Sequence, residues 1–281
     1  ERLCYEPEFT YHGFRYVEVT GLTRPPDTGD VTGMVVASSS PVASSLETSS
    51  RDLNRLWENI LWTQRSNMYG IPTDCPQRDE RCGWMGDAQV FCQTAIYNMD
   101  MQAFYRKWLT DIRDEQTPDG RYPNYAPYVS DGLRYYDAPG WADAGVIIPW
   151  KAYLNYGDKH ILRENFGAMC RFIDRTFSVN PTLIRDSEVG QNYGDWLNGN
   201  SIRAADYPAR GGSVPKDLFN TAYFAYSCAL LARSCQVLGK QAAFRHYDSL
   251  ARAIRAAFIR KFVDSDGVVA GYDLVLDGTD N

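Results

Sequence analysis

Short and long connections alternate between the helical segments of this chain. Apolar residues recur at helical spacing in seven segments, which predicts helices at about 51–68, 87–98, 101–113, 141–156, 159–178, 216–238 and 241–263. Tight turns at 156–158 and 239–240 join two helix pairs, whereas long connections span 73–86, 116–140 and 179–214. Because tightly joined helices are antiparallel, the long connections must meet at the other end. A mainly α protein of helix hairpins, with three loops on one face, is therefore expected.

The N-terminal part of the chain has a different pattern. β-Branched and aromatic residues dominate 8–20 and 31–36, which predicts strands. From residue 38 to 50 the composition shifts to serine and threonine, which is typical of a linker. We therefore divide the chain into a β piece with its linker, residues 1–45, and a helical domain, residues 46–281.

Charge and hydropathy exclude two classes of partner. The net charge is -6 with an isoelectric point near 5.2, and no lysine or arginine run supplies the basic patch that nucleic acid binding needs. No apolar run approaches the roughly 20 residues of a membrane-spanning helix. Seven cysteines without a CxxC pair are expected to be free thiols, which slightly favours the cytoplasm over secretion. The compartment and the oligomeric state stay open.

The first long connection concentrates the chemistry. Residues 73–89 hold four carboxylates, two arginines and an indole, namely Asp74, Asp79, Glu80, Asp87, Arg78, Arg81 and Trp84. Carboxylates crowded together cannot all ionise easily, so one can remain protonated near neutral pH. Glycosidases obtain their general acid in this way. The same residues are also compatible with a structural ion-pair network at a helix start.

The other two long connections each carry a tryptophan and an aspartate. Trp141 is followed by Asp143, and Trp196 follows Asp195. Indole faces stack on sugar rings, and carboxylates accept hydrogen bonds from hydroxyls, so the pairs are candidates for a sugar pocket. Helix capping is the alternative for Asp143, because a carboxylate is favoured in a first turn.

Metal and thiol chemistry find little support. The three histidines are scattered along the chain, which argues against a zinc site and a Cys-His dyad. Calcium, which takes carboxylate oxygens, remains compatible with the residue types. We therefore predict neither a metal nor a cofactor.

Two runs within the charged connection resemble a family signature. Residues 73–81, TDCPQRDER, followed by 83–89, GWMGDAQ, resemble the signature of the bacterial-type α-L-rhamnosidases, a family of inverting glycoside hydrolases. Residues 9–17 look like the end of the β-sandwich that precedes the catalytic domain in that family. Residues 141–144 and 194–196 look like its later pocket segments.

The resemblance implies an (α/α)6 barrel that releases terminal non-reducing α-L-rhamnose from rhamnose-containing glycosides or oligosaccharides. By the motif, Glu80 matches the general acid. The groups expected to hold the sugar are Asp74, Arg78, Trp84, Asp87, Trp141 and Trp196, to which we add Asp143.

The chain departs from the family pattern in its second half. Seven predicted helices form a partial (α/α)6 barrel, because the complete fold consists of six hairpins. The family's general base is a glutamate from a later loop, and no residue here matches it. We therefore expect little turnover by this chain alone and exposed apolar helix faces that favour self-association. Two alternatives remain: a non-catalytic carbohydrate-binding fragment, or an (α/α)6 glycosidase for another sugar such as glucose or glucuronic acid.

Overall fold

The computed structural model describes residues 4–8, 10–197 and 214–269, and α-helices dominate them. Seven helices lie within these residues, and their ends fall within three residues of the predicted ones. They are α1 (Arg51–Asn67), α2 (Met85–Asn98), α3 (Gln102–Asp114), α4 (Ala144–Tyr156), α5 (Lys159–Val179), α6 (Lys216–Val237) and α7 (Gln241–Phe262). The helix predictions and the mainly α, hairpin-based fold class are confirmed.

Helix α4 is the centre of the packing. It contacts α2, α3, α5 and α6, while α6 and α7 pack along each other as a hairpin. Its residues Val146, Ile147 and Ile148 are completely buried, as expected of a helix that is apolar on every side. Helix α3, by contrast, buries one face through Tyr105, Trp108 and Ile112 and exposes the other. The core therefore lies around α4, whose N-terminus points to the long loops.

Tight turns close the far end of two hairpins. Gly157 follows α4 with a φ of 67°, and Gly239 follows α6 with a φ of 72°. Glycine adopts this left-handed conformation without the steric cost that other residues meet. The chain therefore reverses within two or three residues at both places.

The predicted strands at 8–20 and 31–36 do not form among the described residues. Their described residues are irregular and largely exposed, and a 3-10 turn at Thr28–Asp30 lies between the two segments. A strand is stabilised by hydrogen bonds to a neighbouring strand, and the described residues offer these segments none. A strand-like tail is also predicted at 268–276, and its residues 270–276 lie outside the described residues.

Within the part of the chain that the structure describes, strand pairing is confined to short contacts. A two-residue strand β1 (Met68–Tyr69) pairs with β2 (Ile71–Pro72) directly after α1. The serine-rich linker runs beside the α2–α3 turn, where Val42 forms a bridge with Met99. The first half of the linker is therefore fixed to the helical domain.

Several helices expose apolar side chains, as the sequence predicted. Leu53, Leu56 and Trp62 on α1 and Val90 and Tyr97 on α2 are at least half exposed. No helix in the described part of the chain is long and apolar enough to cross a bilayer. All seven cysteines are free thiols, and four of them are buried.

Candidate active site

The three long loops meet around the indole of Trp84. The ring centroid of Trp84 lies 5.1 Å from that of Tyr125 and 6.1 Å from that of Tyr135, both in the second loop. It lies 6.1 Å from the ring of Tyr193 in the third loop. The prediction that these loops share one face is confirmed.

Backbone pairing closes the charged loop at its neck. The N–H of Asp74 donates to the carbonyl of Cys82 at 3.1 Å, and the N–H of Cys82 donates to Asp74 Oδ1 at 3.0 Å. Gly83 follows, where a Cβ would lie 2.2 Å from the carbonyl oxygen of Ala126. Only glycine fits at position 83. The pairing of Asp74 with Cys82 closes residues 75–81 into a loop.

Glu80 is held through both of its carboxylate oxygens. Trp84 Nε1 donates to Glu80 Oε1 at 2.7 Å. Arg78 Nη1 forms an ion pair with Glu80 Oε2, and Arg78 Nη2 lies 3.6 Å from Asp74 Oδ2. The side chain of Arg78 is 61% exposed, so solvent weakens these ion pairs. The predicted residues Asp74, Arg78, Glu80 and Trp84 thus form one connected cluster.

Asp87 stands beside this cluster in the first turn of α2. Its side chain reaches solvent but is largely surrounded by protein. Desolvation therefore raises the pKa of Asp87, and the nearby charges of Asp74 and Glu80 raise it further. Burial and the neighbouring carboxylates therefore favour the protonated form of Asp87.

The two cysteines of the loop are poor nucleophiles. Burial raises the pKa of the Cys75 thiol, and its hydrogen bond to Asp74 Oδ2 at 2.9 Å raises it further. Burial also raises the pKa of Cys82, followed by the charges of Asp74 and Glu80. Thiolates are the reactive form, so this electronegative setting disfavours thiol catalysis.

Three side chains of the loop approach one another closely enough to suggest a cation site. Ligand-type atoms of Asp74, Cys75 and Glu80 lie within 4.8 Å of one another. The guanidinium of Arg78 already pairs with both carboxylates. Calcium prefers about six to eight oxygen ligands, which two carboxylates and a thiol do not supply. The arrangement therefore fits an arginine-neutralised cluster better than a calcium site.

The two later tryptophans reach the site through Tyr193. Its ring centroid lies 4.6 Å from that of Trp141 and 5.7 Å from that of Trp196. Trp141 is almost buried and packs over Gly86, whereas Trp196 is 42% exposed. The candidate site therefore includes one nearly buried indole, Trp141, and one exposed indole, Trp196.

The structure does not support the prediction that Asp143 contacts sugar. Asp143 is completely buried, and Oδ2 accepts from the N–H of Gly140 at 2.8 Å and from Arg185 Nη1 at 3.0 Å. Ser227 Oγ donates to Oδ1 at 2.6 Å. Both oxygens are occupied, so Asp143 positions the start of α4.

A second buried carboxylate extends this network. Asp137 forms ion pairs with Arg175 and with Arg185, the latter at 3.5 Å. Burial raises the pKa of Asp137 to about 6, although both guanidiniums oppose the effect. Arg175 also pairs with Glu188 at 2.7 Å, which ties the third loop to the second.

Three residues of the site escaped the sequence interpretation. Tyr193, Asn124 and Arg185 each connect loops that are far apart in sequence. Tyr193 stands directly before the predicted Gly194-Asp195-Trp196 segment, so an aromatic-rich loop was its signal. Arg185 offered none, since an isolated arginine in a loop is usually exposed.

Known families account for nearly the whole chain. A family model described as the bacterial alpha-L-rhamnosidase 6 hairpin glycosidase domain matches residues 41–275. A second, the bacterial alpha-L-rhamnosidase concanavalin-like domain, matches residues 1–37. An alpha-L-rhamnosidase of Streptomyces avermitilis is 44% identical over 267 residues, which are 95% of this chain and 24% of that protein. The chain spans about a quarter of the length of the curated relatives it matches.

Solved structures agree in fold. The crystal structure of Streptomyces avermitilis alpha-L-rhamnosidase complexed with L-rhamnose superimposes with a TM-score of 0.83 at 44% identity, over 95% of this chain and 24% of that one. The alpha-L-rhamnosidase from Dictyoglumus thermophilum gives 0.82 at 38% identity, over 93% and 28%. With its helix hairpins, its clustered loop carboxylates and these matches, the chain belongs to the bacterial alpha-L-rhamnosidase six-hairpin glycosidase domain family.

Proposed function

We propose that this chain forms the acid side of the active site of an inverting α-L-rhamnosidase. The observation that carries the proposal is the connected cluster of Glu80, Trp84 and Arg78 at the point where the three long loops meet. A carboxyl group fixed among aromatic rings and further carboxylates is what glycoside hydrolysis requires of a general acid. The relatives named as alpha-L-rhamnosidases support rhamnose as the sugar.

Glu80 protonates the leaving oxygen in this proposal. Both of its oxygens have protein partners, so one partner must withdraw when the substrate binds. Arg78 is the better candidate, because its side chain is mostly exposed whereas the indole of Trp84 is packed among rings. Arg78 then has its guanidinium free to donate to sugar hydroxyls in a fork.

The remaining groups hold the sugar. Asp74 and Asp87 supply oxygens that accept bonds from sugar hydroxyls, and Trp84, Trp141 and Trp196 supply aromatic surface. Arg78 pairs with the carboxylates of Asp74 and Glu80, and Asp87 carries a third carboxylate beside them. Desolvation raises the pKa of Asp87, and the charges of Asp74 and Glu80 raise it further.

The second carboxylate of an inverting pair must stand across the sugar, roughly 6.5–9.5 Å from the acid, to activate water. Asp74 and Asp87 belong to the same loop and helix start as Glu80, which suits sugar binding on the acid's side. We therefore assign the general base to a part of the full-length protein outside this chain. The hydrolytic activity is accordingly proposed for the full-length protein.

Release of nitrophenol from a panel of aryl glycosides by the full-length protein tests the proposal. We expect turnover of the α-L-rhamnoside and a loss of about 10²- to 10⁴-fold in the Glu80→Gln variant. Glu58→Gln, at an exposed ion pair on α1, is the matched control and should leave the rate unchanged. Turnover of a glucoside or glucuronide instead, or full activity of Glu80→Gln, would overturn the assignment. Rhamnose binding without hydrolysis would favour a carbohydrate-binding role.

A further inference from the structure

Tyr193 is the ring on which the three tryptophans of the site converge. Its ring centroid lies 6.1 Å from Trp84, 4.6 Å from Trp141 and 5.7 Å from Trp196. It meets Trp84 edge-on, at an interplanar angle of 80°. Aromatic pairs prefer this edge-to-face arrangement, which stabilises them beyond simple burial. Tyr193 therefore packs against the same indole that donates a hydrogen bond to Glu80.

The position of Tyr193 is itself fixed from two sides. Lys216 Nζ of α6 donates to its carbonyl oxygen at 2.7 Å. Asn124, which is completely buried, donates from Nδ2 to the Tyr193 hydroxyl at 3.4 Å. The orientation of the Asn124 amide follows from Oδ1, which must accept the N–H of Ala138 at 2.9 Å. The third loop is thereby tied to the second loop and to a helix.

Asn124 also reaches the first loop. Its carbonyl oxygen accepts the N–H of Met85, the first residue of α2, at 2.9 Å. Met85 directly follows Trp84. Asn124 therefore connects the backbone beside the Trp84 indole to the hydroxyl of Tyr193. Tyr193 itself is only partly buried and packs against the edge of the core.

We propose that Tyr193 is a positioning residue that directs Glu80 through Trp84. The inference rests on the proposed glycoside hydrolysis. The indole N–H of Trp84 lies 2.7 Å from Glu80 Oε1, so a rotation of the indole would move or release the carboxyl. The rings of Tyr193, Tyr125 and Tyr135 all pack against the indole and restrict its rotation. Removing the Tyr193 ring opens one side of this enclosure.

The leaving group of the substrate separates this role from a general structural one. An alkyl rhamnoside needs a proton on its leaving oxygen, whereas dinitrophenolate leaves without one. A misdirected acid therefore slows the first substrate and spares the second. Damage to sugar binding or folding slows both equally.

The test compares Tyr193→Leu, which removes the ring, with Tyr193→Phe, which retains it, in the full-length protein. For Tyr193→Leu we expect kcat on methyl α-L-rhamnoside to fall by about 10- to 100-fold. On the dinitrophenyl rhamnoside it should change by less than about threefold, because that substrate bypasses the acid. Tyr193→Phe should restore most of the activity. Tyr153→Leu, at a half-buried ring near the far end of α4, is the matched control.

The ratio of the two rates does not depend on how much of the enzyme is folded, so partial unfolding cannot produce the expected pattern. Glu80→Gln should show the same pattern in stronger form. Equal losses on both substrates, or no loss in Tyr193→Leu, would overturn the positioning role. The proposed function would still stand in that case, provided that the unaltered protein turns over the rhamnoside. Absence of any rhamnoside turnover by the unaltered protein would overturn both.

Discussion

One indole nitrogen sets the direction in which Glu80 presents its carboxyl group. Trp84 donates to one oxygen, and the exposed Arg78 pairs with the other. The enclosed indole therefore holds one oxygen of Glu80, while the partner of the other oxygen is mostly exposed. In the proposed function, the contact with Trp84 persists and the contact with Arg78 is exchanged for a sugar hydroxyl.

Gly86 shows how tightly this region is packed. A Cβ at Gly86 would lie 2.5 Å from Trp141 Cε2, so alanine must displace a nearly buried indole. We expect Gly86→Ala to lower the free energy of unfolding by about 1–3 kcal/mol, as overpacking usually does. Urea unfolding followed by circular dichroism measures the change.

Gly167 provides the control for that substitution. It lies inside α5, and its Cβ would meet only the end of the Arg171 side chain, at 3.6 Å. Gly167→Ala should therefore stabilise the protein by about 0.5–1 kcal/mol, because alanine is the better helix former. Equal effects at both positions would show that Trp141 yields without cost.

Helix by helix, the turn between α4 and α5 depends on one side chain. Asp158 Oδ1 accepts the N–H of His160 at 2.8 Å, and Oδ2 accepts from Gln102 Nε2 on α3 at 3.2 Å. We expect Asp158→Ala to cost about 1–2 kcal/mol of stability, most of it from the lost N-cap. Lys159→Ala, at the exposed neighbouring position, should change the urea midpoint little. A loss of the same size in Lys159→Ala would exclude capping as the cause.

Elements with local signals were predictable, and elements with distant partners were not. The seven helices follow from apolar spacing within each segment, for example Tyr105, Trp108 and Ile112 on α3. The strands expected at 8–20 and 31–36 depended on neighbouring strands, which no local pattern reveals. Residue composition alone therefore overstated the regular structure of the N-terminal part.

The same distinction applies to the site. Asp74, Arg78, Glu80, Trp84 and Asp87 fall within one short run, so a motif could identify them together. The burial of Asp143 was not predictable, because its partner Arg185 is 42 positions away in a loop without a pattern. The roles of the individual site residues stay predictions until variants are measured.

For the molecule as a whole, the buried charges predict how stability depends on pH. The pKa of Asp137 is about 6 in the folded state because of burial, against about 3.9 for an unfolded aspartate. Between these values the folded chain retains a proton that the unfolded chain has lost, so rising pH favours unfolding. We expect this group to reduce the free energy of unfolding from about pH 4 to about pH 6, with no further change above.

Urea unfolding at a series of pH values measures this effect. The comparison is with Asp137→Asn, which cannot titrate in this range and should lack the decline. Asp119, whose pKa is lowered by its hydrogen bond to Thr117 and by two arginines, acts in the opposite sense at lower pH in both proteins. Parallel pH profiles for the two proteins would contradict the raised pKa of Asp137.

The chain by itself should also associate with other copies. Val90 and Tyr97 are seven positions apart on one face of α2, and they are 68% and 61% exposed. Sedimentation velocity should detect oligomers whose share falls in the Val90→Ser/Tyr97→Ser double variant. The control is Val129→Ser/Leu133→Ser, which removes two exposed apolar side chains from a loop. Oligomers that persist equally in both variants would mean that this helix face is not the contact.

The turns at Gly157 and Gly239 lie at the end of the hairpins away from the long loops. A dye, an affinity tag or a tether to a solid support placed at either turn would leave the cluster around Glu80 facing the bulk solution. Beads or sensor chips coated through these turns would thus display every molecule with the same side outward, which random coupling through surface lysines does not achieve.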